Sequence, residues 1–366
     1  MSTIYLENRH QISSETLAEV SNLEAIPYVN EVDDSLRAAL VFAWQWLRGD
    51  QEFEQLTSGS TGKAKTITIA REKMIISARI TLDALQLNQR DSALLCLNAD
   101  YIGGKMMIVR SLLAGINLVM VPPTAHPLTS LPFLPKFVAM VPLQILTLLE
   151  AGETDQLNQM KAIIVGGAAV STSLEKKIAC QLSVPVYSTY GMTETVSHIA
   201  LRKLTPPNAS PYFEVLGDTQ IDTDERGCLQ INGEITDQKW LSTNDLVRLV
   251  DDKHFRWLGR YDFIINSGGV KVSPETVEVI LESILQSLGF AGRLLVSSLP
   301  DKKLGERVIL LLEGGPIGEN FEARLLAKAK EHLPPYHTPK EIYYLSKFSQ
   351  TSSGKIQRTL TQAQVP

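Results

Sequence analysis

Thr57-Ser58-Gly59-Ser60-Thr61-Gly62-Lys63-Ala64-Lys65 stands directly ahead of the alternating Thr66-Ile67-Thr68-Ile69 and a helical pattern from Met74 to Leu87. Glycine lets backbone N–H groups turn inward around an anion, Ser and Thr hydroxyls add donors, and Lys adds charge. Such a run reads as a phosphate cradle. It is not a Walker A loop, because G-x-x-x-x-G-K-[ST] needs Gly at position 57 and Ser or Thr at position 64, where this chain has Thr57 and Ala64. A P-loop NTPase is therefore disfavoured, and the plain competing reading is a Ser/Gly/Lys surface turn or linker.

With 366 residues the chain has room for two or three domains and a large core. Hydrophobic residues at 44% and charged residues at 20% suit a globular protein. The net charge of -5 argues against a nucleic-acid surface, which needs a clustered basic excess. Cys96, Cys180 and Cys228 are far apart and lack C-x-x-C spacing, so they read as core thiols and not as a disulfide framework or zinc cluster. The first ten residues contain no apolar signal core, and the most apolar stretch, Met106 to Val121, is broken by Arg110 and Asn117. A cytoplasmic protein without stable membrane insertion is the expectation.

Working outward from the loop, residues 1–50 read as a short polar lead and an amphipathic helix carrying Leu36, Leu40, Phe42, Trp44 and Leu47. From residue 90 to 190, continuous apolar runs alternate with helical patterns: Ala93–Leu97, Asn117–Val121, Phe137–Val141, Ala162–Val165 and Val184–Tyr187 read as strands. Strands of this kind, separated by helices, predict a parallel sheet covered on both faces. Ligands of such sheets collect at the carboxyl ends of the strands. Gly166-Gly167-Ala168-Ala169 and Tyr190-Gly191-Met192-Thr193-Glu194 both fall there, and either would also suit a plain strand-to-helix turn. Residues 212–260 change to short strands with turn signals, followed by the turn Ser267-Gly268-Gly269 and a helix led by Pro274. A domain boundary is expected at 261–262.

Taken in order, these motifs resemble the adenylate-forming (AMP-binding) superfamily of acyl-CoA synthetases, luciferases and peptide-synthetase adenylation domains. T-S-G-S-T-G-K-x-K is followed by Y-G-x-T-E, by T-x-D at Thr243 to Asp245, by G-R-x-D at Gly259 to Asp262, and by T-x-x-G-K at Thr351 to Lys355. The resemblance implies an α/β adenylate-forming fold. A large domain, 1–261, would hold parallel sheets and a β-rich subdomain, and a small mobile α+β domain, 262–366, would follow. It also implies an acid-thiol ligase that joins a carboxylic acid to coenzyme A at the expense of ATP, with Mg²⁺.

Carried over residue by residue, the resemblance places Ser58, Ser60, Thr61 and Lys63 on the β- and γ-phosphates of ATP, in a binding run that includes Thr57, Gly59 and Gly62. Gly167, Ala168 and Tyr190 would line the adenine, Thr193 would meet the α-phosphate, and Glu194 would bind Mg²⁺. Asp245 would accept from both ribose hydroxyls with Arg260 beside it, Asp262 would be the interdomain hinge, and Lys355 would enter the site for adenylation. The residue types suit the chemistry. A carboxylate attacking an α-phosphate must overcome charge repulsion, so Lys, Mg²⁺ and N–H donors have to neutralise the phosphate oxygens in the transition state. An incoming thiol then takes the acyl group, and the enzyme needs no nucleophile of its own.

Several positions depart from the family pattern. The phosphate loop begins only 57 residues into the chain, so one N-terminal subdomain looks reduced; Asn244 replaces a common Gly, and Ala64 a common Pro. Ser349-Gln350 precede the lysine motif in place of the usual Pro and basic pair. Within the superfamily, Tyr101-Ile102-Gly103-Gly104-Lys105-Met106-Met107, the run Gly191 to His198 and the short length look most like the o-succinylbenzoate-CoA ligases of menaquinone biosynthesis. That likeness makes Tyr101, Gly103, Lys105, Ser197 and His198 candidate substrate residues, with Lys105, Ser197, His198 and Arg202 as candidate donors to a second substrate carboxylate, a surface role being an equal reading for Lys105 and Arg202. The partners expected are small molecules, with no nucleic acid and with room for a homo-oligomer. Two other readings compete: an enzyme that adenylates another acid or passes it to a carrier protein, and a catalytically inactive nucleotide-binding regulatory module. The presence of both Glu194 and Lys355 speaks against the module.

Overall fold

A computed structural model describes residues 2–57, 65–350 and 356–365, with the backbone alone at Leu56, Thr57 and Lys65. The phosphate-loop residues Ser58, Gly59, Ser60, Thr61, Gly62 and Lys63, and Lys355, lie outside the described residues. The chain divides into two compact units, the first made of residues 1–170, 174–220 and 231–240, the second of residues 171–173, 221–230 and 241–366.

The first unit opens with β1 (Thr3–Leu6), β2 (His10–Ser13), α1 (Ser14–Glu19), α2 (Asp34–Arg48), β3 (Glu52–Thr57), β4 (Lys65–Ala70) and α3 (Arg71–Ala84). Next come β5 (Ser92–Leu95), α4 (Ile102–Ala114), β6 (Asn117–Met120), β7 (Phe137–Met140), α5 (Pro142–Glu150) and α6 (Thr154–Asn158). It ends with β8 (Ala162–Val165), α7 (Thr172–Gln181), β9 (Val186–Gly191), β10 (His198–Lys203) and β11 (Phe213–Val215). The strand order is β11-β10-β9-β8-β7-β5-β6-β1-β2. From β9 to β1 the neighbours are parallel, while β10, β11 and β2 add antiparallel flanks.

The parallel strands are apolar at successive positions because both faces are covered. Val138, Met140, Ile163 and Val165 pack with Ile145 and Leu148 of α5, Leu157 of α6 and Ile178 of α7. On β5 and β6, α4 makes contact as well. Helix α4 is itself buried from Met106 to Ser111, a mostly apolar run that also takes Arg110 and Ser111 inside, and it touches both α2 and α3. Its start is held tightly to the preceding loop: a Cβ on Gly104 would lie 2.5 Å from the Asn98 carbonyl oxygen, so only glycine fits.

Helix α2 starts where Asp33 accepts from the Ser35 N–H, and it stops at Gly49, whose φ of 90° takes the left-handed cap. Its buried face, with Leu36, Leu40, Phe42 and Trp46, packs on Phe53 of β3, ring to ring at 5.1 Å from Phe42 and 5.6 Å from Trp46. β3 and β4 form an antiparallel hairpin in which Thr57 lies opposite Lys65, so the two ends of the phosphate-loop sequence are brought together. The polar lead expected at the N-terminus is instead a β-hairpin. Ile4, Tyr5 and Leu6 lie in register with Leu118, Val119 and Met120 of β6, and the Thr3 N–H donates to Asn117 Oδ1 at 2.9 Å.

In the second unit, β12 (Gln220–Thr223), β13 (Cys228–Asn232), β14 (Leu241–Leu249) and β15 (His254–Arg260) are neighbours in that order. The chain then forms β16 (Ile265–Ser267), β17 (Val270–Val272), α8 (Pro274–Ser287), β18 (Leu294–Asp301), β19 (Gly305–Glu313), α9 (Phe321–His332), β20 (Glu341–Leu345) and α10 (Arg358–Gln362). Its sheet runs β17-β16-β19-β18, with β20 parallel to β19. One face packs on α8 and α9 through Val277, Leu281, Val308, Leu310, Phe321 and Leu325. Each such side chain contributes roughly 1.5–3 kcal/mol by leaving water. Among the described residues no helix is long and apolar enough to cross a membrane. Cys96 and Cys228 are buried, as core thiols should be, but Cys180 is exposed on α7, a correction to the sequence reading.

Candidate active site

In the first unit, the candidate groups gather where β8 and β9 end. Gly167 follows β8 with a φ of 80°, and a Cβ on Gly166 would lie 2.3 Å from Thr189 Oγ1, so the chain leaves the sheet along a path open to glycine. Ala168 is half-buried beside it. Tyr190 and Gly191, expected just past a strand, lie within β9, which runs to Gly191. The Tyr190 ring is buried and tilts against Phe213 at 5.8 Å. A Cβ on Gly191 would strike the next strand, 2.3 Å from the Ser197 carbonyl oxygen and 2.4 Å from His198 Cα.

Past β9 the chain makes a tight turn over Thr193–Thr195. Thr195 is buried and its Oγ1 accepts from the Met192 N–H at 3.1 Å. Val196 then takes a φ of 61°, a strained conformation for a β-branched residue. This turn leaves Thr193 half-buried and the Glu194 carboxylate exposed, with no hydrogen bond or ion pair among the described residues. An uncommitted carboxylate is a fitting hard oxygen ligand for Mg²⁺. No group of three or more His, Cys, Asp or Glu able to hold a metal occurs among the described residues.

The same turn aims Ser197 and His198 inward, where they meet a group the sequence reading treated only as an interruption of an apolar run. Arg110 of α4 is 3% exposed. One terminal nitrogen donates to Ser197 Oγ at 2.9 Å, its Nε has no partner, and no carboxylate answers it among the described residues. Ser197 Oγ is also 2.6 Å from Ser77 Oγ, and His198 Nε2 is 3.0 Å from Thr81 Oγ1, both on α3. Burial pushes the Arg110 guanidinium down to about 9, which still leaves it charged at neutral pH. Burial, with Arg110 adding to it, holds His198 well below its ordinary value and keeps the imidazole neutral. A buried cation without a counter-ion is costly, and an arriving carboxylate would relieve it.

The other candidates from the acid-pocket segments sit differently. Lys105 donates its Nζ to the Glu54 carbonyl oxygen and lies 5.7 Å from the Phe42 ring centre, so it is engaged with β3. Arg202 is paired with Glu175 through both terminal nitrogens and stacks 5.4 Å over Phe213. Tyr101 is half-buried directly before α4, and Gly103 is half-buried in its first turn.

In the second unit, Asp245 on β14 is directly opposite Arg260 on β15. Asp245 is 7% exposed, its Oδ1 accepts from Trp257 Nε1 at 3.2 Å, and an Arg260 terminal nitrogen is 3.8 Å away. Arg260 also donates to Asp262 Oδ2 at 2.8 Å. Asn244, unusual at its position, donates to Asp262 Oδ1 at 3.1 Å and accepts from Arg226 at 2.9 Å. Trp257 carried no sequence signal; only the strand register reveals it.

A crystal structure of an acyl-CoA synthetase (AMP-forming)/AMP-acid ligase II-like protein from Dyadobacter fermentans is 36% identical, covers 97% of this chain and 99% of its own, and superposes with a TM-score of 0.62. The AMP-binding enzyme family model matches residues 52–220. The chain belongs to the AMP-binding enzyme family. This AMP-binding enzyme is thus an acid-thiol ligase with the adenylate-forming fold. Among curated proteins, a 2-succinylbenzoate--CoA ligase of Staphylococcus epidermidis is 26% identical over 330 residues, 82% of this chain and 67% of the relative. The AMP-binding enzyme therefore spans about two thirds of that relative's length. The o-succinylbenzoate CoA synthetase of Bacillus subtilis, solved with its acyl-adenylate intermediate, shares the fold at a TM-score of 0.68 and 22% identity, covering 86% of this chain and 69% of its own.

Proposed function

We propose that this enzyme is an ATP-dependent carboxylic acid:CoA ligase working through an acyl-adenylate, and that its acid is 2-succinylbenzoate, for menaquinone biosynthesis. The observation that carries the choice of acid is the buried Arg110 guanidinium, which has no carboxylate partner among the described residues and a bare Nε. One fixed cation flanked by Ser197 suits a single carboxylate, and neutral His198 adds no second charge. The aromatic carboxylate would settle there while the aliphatic one is activated. The curated relatives named 2-succinylbenzoate--CoA ligase support the same acid.

In this reading the run from Thr57 to Lys63 holds the β- and γ-phosphates, Gly167, Ala168 and Tyr190 hold the adenine, and Asp245 with Arg260 holds the ribose. Thr193 donates to the α-phosphate. Glu194 would hold Mg²⁺, which when bound would neutralise phosphate charge. Lys355 stabilises the charge that develops as the acid attacks. Asp262 is the hinge between a large portion, 1–261, and a small one, 262–366, so that Lys355 serves adenylation and then withdraws before CoA attacks.

The deciding experiment compares pyrophosphate release with 2-succinylbenzoate, with benzoylpropionate, which lacks the ring carboxyl, and with a medium-chain fatty acid, each with and without CoA. A site that pairs Arg110 with the ring carboxylate should favour the first by about 10² or more in kcat/KM, since the analogues leave a buried charge unanswered. Similar values for all three would remove the acid and leave only the generic ligase. A second expectation concerns Trp257→Phe, which deletes the N–H that orients Asp245. KM for ATP should rise about fivefold, the worth of one hydrogen bond of about 1 kcal/mol, at unchanged kcat. An unaltered KM would show that Asp245 needs no such support.

A further inference from the structure

The carboxyl end of the chain holds a largely buried ion cluster with no part in the mechanism above. Arg358 opens α10, three positions past Lys355 in sequence. One of its terminal nitrogens donates to both Glu278 carboxylate oxygens at 2.7 and 2.6 Å, and the other donates to Glu278 Oε1 at 2.9 Å and to the Val296 carbonyl oxygen at 3.2 Å. Glu275 stands 3.7 Å from the same guanidinium, and the Val296 N–H donates to Glu278 at 2.7 Å. Arg358, Glu275 and Glu278 side chains are only 16%, 11% and 20% exposed. Burial pushes the Glu278 carboxyl up to about 7 even against the pull of Arg358.

The cluster reaches two places that matter. On one side, the Ser273 hydroxyl donates to the Leu258 carbonyl oxygen at 2.7 Å and, more weakly, to Glu275 Oε2 at 3.3 Å. A Cβ on Gly259, whose φ is 139°, would lie 2.5 Å from Glu275 Oε2, so the first residue of the G-R-x-D motif must be glycine to let this carboxylate in. On the other side, Gln350 and Ile356 form an antiparallel bridge, and the Gln357 N–H donates to the Ser349 carbonyl oxygen at 2.9 Å. Arg358 thus stands two positions past the bridged Ile356 and connects, through Glu275 and Ser273, to the backbone just ahead of Gly259 and Arg260. A buried ion group is a poor device for stability alone, since well-packed apolar residues would serve as well or better.

We propose that Arg358, clamped by Glu278 with Glu275 beside it, is a positioning residue for the adenylation half-reaction, setting the base of the lysine motif relative to the backbone of the G-R-x-D motif. The proposal rests on the assignment of Lys355 to adenylation. The test uses Arg358→Ala and the near-isosteric Glu278→Gln in single-turnover measurements of each half-reaction. Pyrophosphate release should fall about 10- to 10²-fold in Arg358→Ala, as misplacement by an ångström does, with KM for ATP little changed. Thioester formation from supplied acyl-adenylate should stay within about threefold of wild type. Added guanidinium ion should restore part of the adenylation rate, which it would not do for a general folding defect. If Arg358→Ala fails to fold, Glu278→Gln carries the test with the same expected split. Equal losses in both half-reactions, or no loss in either, would overturn the proposal. Lys355→Ala run beside them separates the two ideas: normal adenylation there would overturn the assignment of Lys355, whereas its loss with Arg358→Ala unaffected would overturn only the clamp.

Discussion

Arg110→Leu should lower kcat/KM for 2-succinylbenzoate about 10²- to 10³-fold and leave the protein at least as stable as the wild type. The two effects have opposite origins. On the proposed assignment, truncating Arg110 removes one member of a buried charge pair with the ring carboxylate and forfeits about 3–4 kcal/mol of binding. In the free enzyme, however, the guanidinium is a desolvated cation held by Ser197 and lacking any described carboxylate, so replacing it with a shorter apolar side chain removes that penalty. Benzoylpropionate, with no ring carboxyl to lose contact, should be used by the variant as well as by the wild type or better. Steady-state pyrophosphate release and a thermal melt decide the matter. A fall in melting temperature with parallel losses for both acids would mean that Arg110 serves the packing of α4 and no ligand.

Gly191→Ala should be the most damaging single methyl group at the site, destabilising by about 3 kcal/mol and lowering Tm by roughly 5–10 °C. The added Cβ meets only backbone, 2.3 Å from the Ser197 carbonyl oxygen and 2.4 Å from His198 Cα, so β9 and β10 would have to separate where their register already shifts. Activity should fall further than stability accounts for, because the same movement displaces Ser197 and His198 from Arg110. Gly315→Ala is the control. A Cβ there meets nothing within 4 Å, and its Tm should match the wild type. Comparable melting curves for the two variants would show that the β9–β10 crossing is softer than its close approach suggests.

The parallel sheet was legible because its strands are buried on both faces, which leaves uninterrupted apolar runs such as Phe137 to Met140 and Ala162 to Val165. Edges were less legible. Thr3–Leu6 is four residues long and mixed in character, and what makes it a strand is pairing with β6, more than a hundred positions away in sequence. Polar interruptions held the most that the sequence left unread. Arg110 and Asn117 served in the sequence only to rule out a membrane span, yet Asn117 Oδ1 ties the N-terminal strand to the sheet and Arg110 sits at the heart of the proposed acid pocket. Lys105 and Arg202, for which the sequence left both a substrate role and a plain surface role open, have protein partners in the fold. Long side chains choose partners by tertiary context, and here they turn to Glu54 and Glu175. The motif glycines were legible as glycines, but the reasons for them, a facing carbonyl at Gly191 and a carboxylate at Gly259, needed the neighbouring strand and helix.

The distribution of thiols gives this enzyme a ready-made spectroscopic handle. Cys96 is fully buried, with its thiol pushed up to about 12, and Cys228 is buried as well, while Cys180 is exposed on α7. A maleimide dye at neutral pH should therefore label the native chain once, at Cys180, without prior removal of any cysteine. One further cysteine placed at an exposed position of the last hundred residues, such as Lys340, would supply the second dye of a distance ruler. Energy transfer between the two, followed as ATP, the acid and CoA are added in turn, would report directly whether the chain rearranges between its two half-reactions.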